Sequence, residues 1–286
     1  MPDSAIEGFT LTNPVRERVA AGGVAYGLNV RLVRSGEIAR IARATGHDFL
    51  YLDAQHALFD VETLGHLVHA SLGCGVAPFV RVRSVDDPDI SVLLDAGATG
   101  IVAPDVTSAA EARRLVDATK YLPLGRRSLA GLTIHHDYRP VPSDVQMRVE
   151  NEGVLVFCMI ESIEGLEALE AIAAVPGVDG IYLGMNDMLA SMGRAGAYED
   201  PLITDALDQV VRVARSHGQI VGAGGIPRPP DQARAVRAGV QFLTTKSDIG
   251  MLRAGAAHAI DEIAGAVAVG SDGAAPTRTA VQAVRS

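Results

Sequence analysis

Eight short apolar runs punctuate the chain: GVAYGLNVRL (23–32), FLYLD (49–53), APFVRV (77–82), GIVAPDV (100–106), VLVFCMIES (154–162), GIYLGMND (180–187), QIVGAGGI (219–226) and VQFLTT (240–245). They are continuous rather than alternating, the mark of strands buried on both faces, hence of a parallel sheet. Between them, SGEIARIARATG (35–46), VETLGHLVHASLG (61–73), SAAEARRLVDATKYL (108–122), IEGLEALEAIAAV (163–175) and ITDALDQVVRVARSHG (203–218) carry apolar residues at i, i+3 and i+4 and predict amphipathic helices. Eight βα units fit a closed barrel or an open doubly wound sheet, and periodicity does not separate the two. The count of eight favours an α/β fold of the TIM (β/α)8 type. Several units repeat a helix, a small residue with glycine, and a strand, as in ATGHDFLYL, DAGATGIVA and RAGVQFLTT, with glycine acting as a helix stop.

Residues 123–153 break this rhythm with a long polar insertion between the fourth predicted helix and the fifth strand. Insertions of that length in a compact domain are usually functional or cover an interface. A single barrel domain is expected over 1–269, with 270–286 a flexible tail and the first dozen residues equally uncommitted.

Composition narrows the function classes. With 286 residues, 48% of them hydrophobic, the chain can bury a sizeable core. A net charge of -9 without a cluster of Lys or Arg offers no footprint for nucleic acid or an anionic membrane. No window approaches the roughly 18 consecutive apolar residues that a bilayer requires, and the N-terminus lacks a basic start followed by an apolar stretch, so a cytoplasmic location is expected. Cys74 and Cys158 lie far apart without CxxC spacing, which disfavours a disulfide framework or a cysteine-ligated zinc. The chain has two lysines, Lys120 and Lys246, which restricts imine chemistry to Lys246, just after the eighth strand.

In a barrel, chemistry gathers where strands end and βα loops converge. Asp53, Gln55 and His56 follow the second strand, Arg81 sits on the third, Glu161 follows the fifth, and Asp187 ends the sixth in GMNDM; Asp95 lies in the helix after the third, in LLDAGATG. Each has an ordinary structural alternative: a rim ion pair for Arg81, a helix-end contact for Asp95, an N-cap for Asp187. Jointly, two carboxylates, a histidine and an arginine at one mouth point to a site. Glu161 and Asp187 close neighbouring strands, where they can share an oxygen-ligated cation such as Mg²⁺ or Mn²⁺. Gly184 before Asn186 and Asp187 lets backbone N–H groups approach a carboxylate at a helix start. Such a site suits a 2-oxo acid.

The ordered series YLDAQHA, FVRV, LLDAGATGIVAPDV, EARRLVDATKYLPLGRRS, CMIESIEGLEAL and VDGIYLGMNDMLASMG resembles the HpcH/HpaI aldolase family, over roughly residues 23–265. The resemblance implies a TIM barrel of the phosphoenolpyruvate/pyruvate type that cleaves 4-hydroxy-2-oxo acids to pyruvate and an aldehyde, with a divalent cofactor (Mg²⁺, Mn²⁺ or Co²⁺). It places the metal carboxylates on Glu161 and Asp187, the catalytic histidine on His56, its partner aspartate on Asp95 and the enolate-stabilising arginine on Arg81. Pyruvate carboxylate contacts fall on Gly184, Asn186 and Asp187, and the implied assembly is a homo-oligomer, a hexamer of dimers that exchange their last helix.

Three positions depart from that family. Gln55 stands where many relatives have Glu, GMND replaces GPAD, and Arg127 is followed by Ser128 instead of glycine. A neutral Gln55 removes a negative charge beside the metal, and the other two changes are expected to touch the pyruvate pocket. Related enolate reactions (condensation or decarboxylation), a Schiff-base aldolase on Lys246 and a non-catalytic oxo-acid-binding barrel are the alternatives. His66 and His69 on one helix, and His135, His136 and Tyr138 in the insertion, are expected at surfaces or interfaces, or in a lid.

Overall fold

The computed structural model of the chain describes residues 10–269. Among the described residues, eight parallel strands close in sequential order into one barrel, as expected of a TIM barrel: β1 (Ala25–Val30), β2 (Phe49–Asp53), β3 (Ala77–Arg81), β4 (Gly100–Ala103), β5 (Leu155–Ile160), β6 (Gly180–Gly184), β7 (Ile220–Gly224) and β8 (Phe242–Ser247). The helices are α1 (Pro14–Ala20), α2 (Glu37–Ala44), α3 (Val61–Gly73), α4 (Ile90–Asp95), α5 (Ala109–Thr119), α6 (Ser143–Gly153), α7 (Ile163–Glu167), α8 (Leu169–Ala173), α9 (Met185–Ser191), α10 (Pro201–Ser216), α11 (Pro229–Ala238) and α12 (Asp248–Val269). No helix among the described residues is long and apolar enough to cross a membrane. The compact unit holding the barrel runs to Asp248, and a second begins at Ile249 and includes the rest of α12. The domain expected over 1–269 spans parts of both, and the expected tail, 270–286, lies outside the described residues.

Several strands are shorter than their apolar runs. The run at 180–187 leaves the ladder at Gly184, and Met185–Asp187 form the first turn of α9; the run at 154–162 stops at Ile160. At the mouth the chain exchanges sheet partners for helix starts: Asp60 caps α3, Ser108 caps α5 and Ser162 caps α7 through side-chain oxygens that accept first-turn N–H groups.

The barrel interior is filled by rings. Phe49 stacks on Phe242 with centroids 3.9 Å apart, and Phe79 and Phe157 each lie 4.8 Å from Phe242. These rings need glycine on the adjacent strand. A Cβ on Gly27 would fall 2.0 Å from the Phe49 ring, one on Gly100 2.1 Å from Phe79, and one on Gly180 2.4 Å from Phe157. Registered pairs Gly27↔Phe49, Phe79↔Gly100 and Phe157↔Gly180 place each ring beside its glycine. Above this plug, Tyr51 and Tyr182 stack at 5.8 Å and form the floor on which the mouth opens.

The insertion is ordered around one carboxylate. Glu150 on α6, 1% exposed, accepts hydrogen bonds from Thr133, Gln146, Tyr121 and Arg127 and lies 3.2 Å from the His136 ring. The segment leaves the end of α5 and returns to the start of β5, so it sits at the face opposite the mouth. His135 contacts the Leu94 carbonyl there at 3.1 Å. The expectation of a lid over this chain's own mouth is therefore corrected.

Phe242→Ala should remove the centre of the ring cluster and lower stability by about 3–5 kcal/mol, read as a fall in the urea midpoint with the slope unchanged.

Candidate functional site

β2 ends in Asp53, which is fully buried and organises the loop behind it. Its Oδ1 accepts the N–H groups of Gln55 and His56 at 3.2 and 3.1 Å, an aspartate turn that sets where His56 sits. On the next strand, in the register Asp53↔Arg81, Arg81 donates from Nε to Oδ1 at 3.0 Å and from Nη2 to Oδ2 at 2.6 Å. Arg31, one residue beyond β1, places Nε 3.3 Å from Asp53 Oδ2 and donates from Nη2 to the His56 carbonyl at 3.0 Å.

Across the mouth stand the acidic residues. Glu161, just beyond β5, is 4% exposed, and its Oε1 accepts the Asp105 N–H at 2.9 Å. Burial pushes the Glu161 carboxyl up to about 7; the Asp105 N–H opposes the shift, the Asp105 and Asp187 carboxylates add to it, and Arg81 opposes it. Gly184 leaves the space that this carboxylate occupies, since a Cβ there would lie 2.5 Å from Glu161 Oε2. Asn186 and Asp187 follow on the first turn of α9, and Tyr198 donates a hydrogen bond to Asn186 Oδ1.

One pocket is lined by His56, Arg81, Glu161, Gly184, Asn186 and Asp187 together. Asn29, Arg31, Tyr51, Tyr182 and Thr244 add to its wall and floor. Gln55 stands beside it, with Nε2 3.4 Å from Asp105 Oδ2.

Asp95 does not join this group in the chain. It is the last residue of α4, where the helix has returned to the face opposite the mouth, and it accepts a 2.6 Å hydrogen bond from Arg127. Within one chain the aspartate engaged with the His56 loop is Asp53, and Asp95 makes its contact with Arg127. Arg127 also donates to Glu150 at 3.1 Å, so the Arg127–Ser128 departure lies in the insertion's core and not in the pocket. Neither lysine lines the pocket. Lys246 is exposed on β8, and Lys120 is buried against Asp179 at 2.9 Å, which leaves the imine alternative without a nucleophile.

Three contributors escaped the sequence reading. Asp105 carried a signal, being an acidic residue just beyond β4; its φ of 55° carries the chain away from the strand. Asn29 and Arg31 carried a weaker one, as polar residues at alternate positions of an apolar run, both on the inward face.

A cation fits the acidic side. Among the described residues no three His, Cys, Asp or Glu side chains cluster as a closed metal cage, whereas Mg²⁺-like ions take one or two carboxylates and keep waters. Glu161, buried at a cost to its charged form and close enough to Asp187 to feel its charge, is such a carboxylate.

The chain matches the family model described as HpcH/HpaI aldolase/citrate lyase over residues 32–252. It is 32% identical over 263 residues to a 4-hydroxy-4-methyl-2-oxoglutarate aldolase, tasA, of Hapsidospora irregularis, covering 90% of this chain and 95% of that protein. It is 30% identical over 239 residues to the 2-keto-3-deoxy-L-rhamnonate aldolase of Escherichia coli O157:H7, covering 83% and 88%. The crystal structure of an HpcH/HpaI aldolase from Desulfitobacterium hafniense DCB-2 superposes with a TM-score of 0.82 at 30% identity, covering 87% of this chain and 95% of that one.

The raised Glu161 carboxyl sets a pH dependence. Its folded pKa of about 7 exceeds the ordinary 4.5, so between those values the folded state holds a proton that the unfolded state has released. Stability of chelator-treated protein should therefore fall as pH rises through this window and level off above it. Urea midpoints measured across the window should show a smaller fall for Glu161→Gln.

Proposed function

The chain belongs to the HpcH/HpaI aldolase/citrate lyase family and is a carbon–carbon lyase, and we propose that it cleaves and forms 4-hydroxy-2-oxo acids, with pyruvate and an aldehyde as the other side of the reaction. The observation that carries this reading is one pocket with a buried carboxylate pair partner, Glu161 near Asp187, on one side and an arginine–histidine loop on the other. Glu161 and Asp187 would hold a divalent cation such as Mg²⁺, Mn²⁺ or Co²⁺. When bound, the cation supplies a Lewis acid that polarises the 2-oxo group.

The chain's own groups supply the rest. His56 takes the proton from the C4 hydroxyl, directly or through water. The C3–C4 bond breaks, its electron pair passes into the three-carbon fragment as an enolate, and C4 becomes the aldehyde carbonyl. Arg81, oriented in advance by both Asp53 oxygens, meets the enolate charge without rearranging. The proton taken up by His56 is returned to C3, directly or through water, which gives pyruvate and resets His56 for the next turnover. N–H groups at the start of α9, which have no intrahelical partner, face the substrate carboxylate beside Gly184.

Treatment with EDTA should abolish pyruvate release from 4-hydroxy-2-oxo acids, and Mg²⁺, Mn²⁺ or Co²⁺ should restore it. In the restored enzyme His56→Ala should lower kcat by roughly 10²–10⁴-fold. Failure of every metal to restore cleavage of any such acid would sink the reading.

Gln55 sets the charge next to the acidic group. Gln55→Glu places a further carboxylate near Asp105 and should tighten Mn²⁺ binding, measured by titration calorimetry.

A further inference from the structure

Arg31 has no task in the mechanism above, yet it projects into the same pocket. Within the group formed by Arg31, Asp53 and Arg81, one carboxylate stands between two guanidiniums. Arg81 takes both Asp53 oxygens in aligned hydrogen bonds. Arg31 is left with a 3.3 Å approach of Nε to Oδ2 that makes no hydrogen bond. Its side chain is 36% exposed, so the surplus positive charge of the group is open to a ligand.

Two neutral groups lie beneath it. Asn29 precedes Arg31 by two residues and shares its inward face, and Tyr51 is the register partner of Asn29 on β2. Asn29 Oδ1 and the Tyr51 hydroxyl are both buried and both without a hydrogen-bond partner, and both residues line the pocket. Buried polar atoms of this kind are costly unless something pairs with them. An apolar substrate arm would leave three polar side chains facing it. A carboxylate would meet the Arg31 guanidinium and accept from the Tyr51 hydroxyl, an unpartnered donor, and from the amide nitrogen of Asn29; the Asn29 Oδ1, itself an acceptor, is left to water or to a substrate hydroxyl.

Position relative to the reaction selects which part of the substrate this is. Glu161 and Asp187 follow β5 and β6, diametrically across the eight-stranded ring from β1 and β2. The 2-oxo acid end is held on the acidic side, so the chain of the substrate extends toward β1 and β2. The C4 hydroxyl meets His56, whose carbonyl accepts a hydrogen bond from Arg31 at 3.0 Å. The substituent on C4 therefore arrives next to Arg31.

We propose that Arg31, with Asn29 and Tyr51, forms a subsite for a carboxylate carried on C4, so that the preferred substrates are 4-hydroxy-2-oxo dicarboxylic acids and the acceptor in the forward direction is a carbonyl compound bearing its own carboxylate. The proposal rests on the aldolase reading and narrows its substrate class.

The test compares cleavage of 4-hydroxy-2-oxoglutarate with that of 4-hydroxy-2-oxopentanoate, which carries a methyl group in place of the C4 carboxylate, in the Mg²⁺-loaded enzyme. The wild type should favour the dicarboxylate in kcat/KM, and Arg31→Gln should reduce that ratio by roughly 10- to 100-fold, the range for losing hydrogen bonds to a charged group. Arg31→Lys should recover part of the ratio, because it keeps the charge and loses the fork. Use of a ratio removes any general disturbance of the His56 loop, which strikes both substrates. Exchange of pyruvate methyl protons for deuterium, followed by NMR, reports enolisation independently of C4. Exchange present with no preference for the dicarboxylate, or with a preference that Arg31→Gln leaves intact, overturns the subsite alone. Absence of both exchange and cleavage overturns the aldolase reading and the subsite with it.

Discussion

A carboxylate removed from water is tolerated only when charge and hydrogen bonds meet it from several directions, and Asp53 is fully buried. Arg81 meets it along two hydrogen bonds, the N–H groups of Gln55 and His56 along two more, and Arg31 at close range. The chemistry of the mouth hangs on that single satisfaction problem. Solving it aims Arg81 into the pocket, folds the loop that carries His56, and joins β1, β2 and β3 through side chains at the point where their backbone ladder ends.

The opposite wall follows a different logic. Glu161 is buried beside other carboxylates, and its partner within hydrogen-bonding distance is the Asp105 N–H. One side of the mouth sets two guanidiniums against one carboxylate, and the other concentrates negative charge that a cation would relieve. This asymmetry gives the pocket a direction, with a cationic arginine side and an acidic side.

Much of the architecture was legible because a parallel barrel writes itself in continuous apolar runs separated by amphipathic helices, and the run count equals the strand count. His56, Arg81, Glu161 and Asp187 were legible for a related reason: polar residues directly after apolar runs have few places to go except the mouth. Asp95 stands apart from them within the chain because the same local feature, an acidic residue beside a strand, also occurs where a helix returns to the far face and the next strand begins. Separating the two requires knowing which end of the strand the residue adjoins, and LLDAGATG precedes β4 whereas FLYLD closes β2. Asp105 and Arg31 were hidden differently. Each sits inside an apolar run by composition, and its role depends on cross-strand register that spacing along one strand does not encode. The insertion's anchor, Glu150, was invisible for the same reason, since its partners are drawn from as far as Tyr121.

The plug of phenylalanines below the mouth also bears on how such a pocket changes over time. Each ring occupies volume that its neighbouring strand yields through a missing side chain, so neither member of a Gly27–Phe49 or Gly100–Phe79 couple is free to change alone: a larger residue at the glycine collides with the ring, and a smaller residue at the ring leaves a void. Exchange of the two sizes across a couple conserves volume while moving the bulk from one strand to the next. The floor could thus be tilted or deepened under one side of the mouth without altering a single loop, and substrate shape would be adjusted from beneath by compensated pairs.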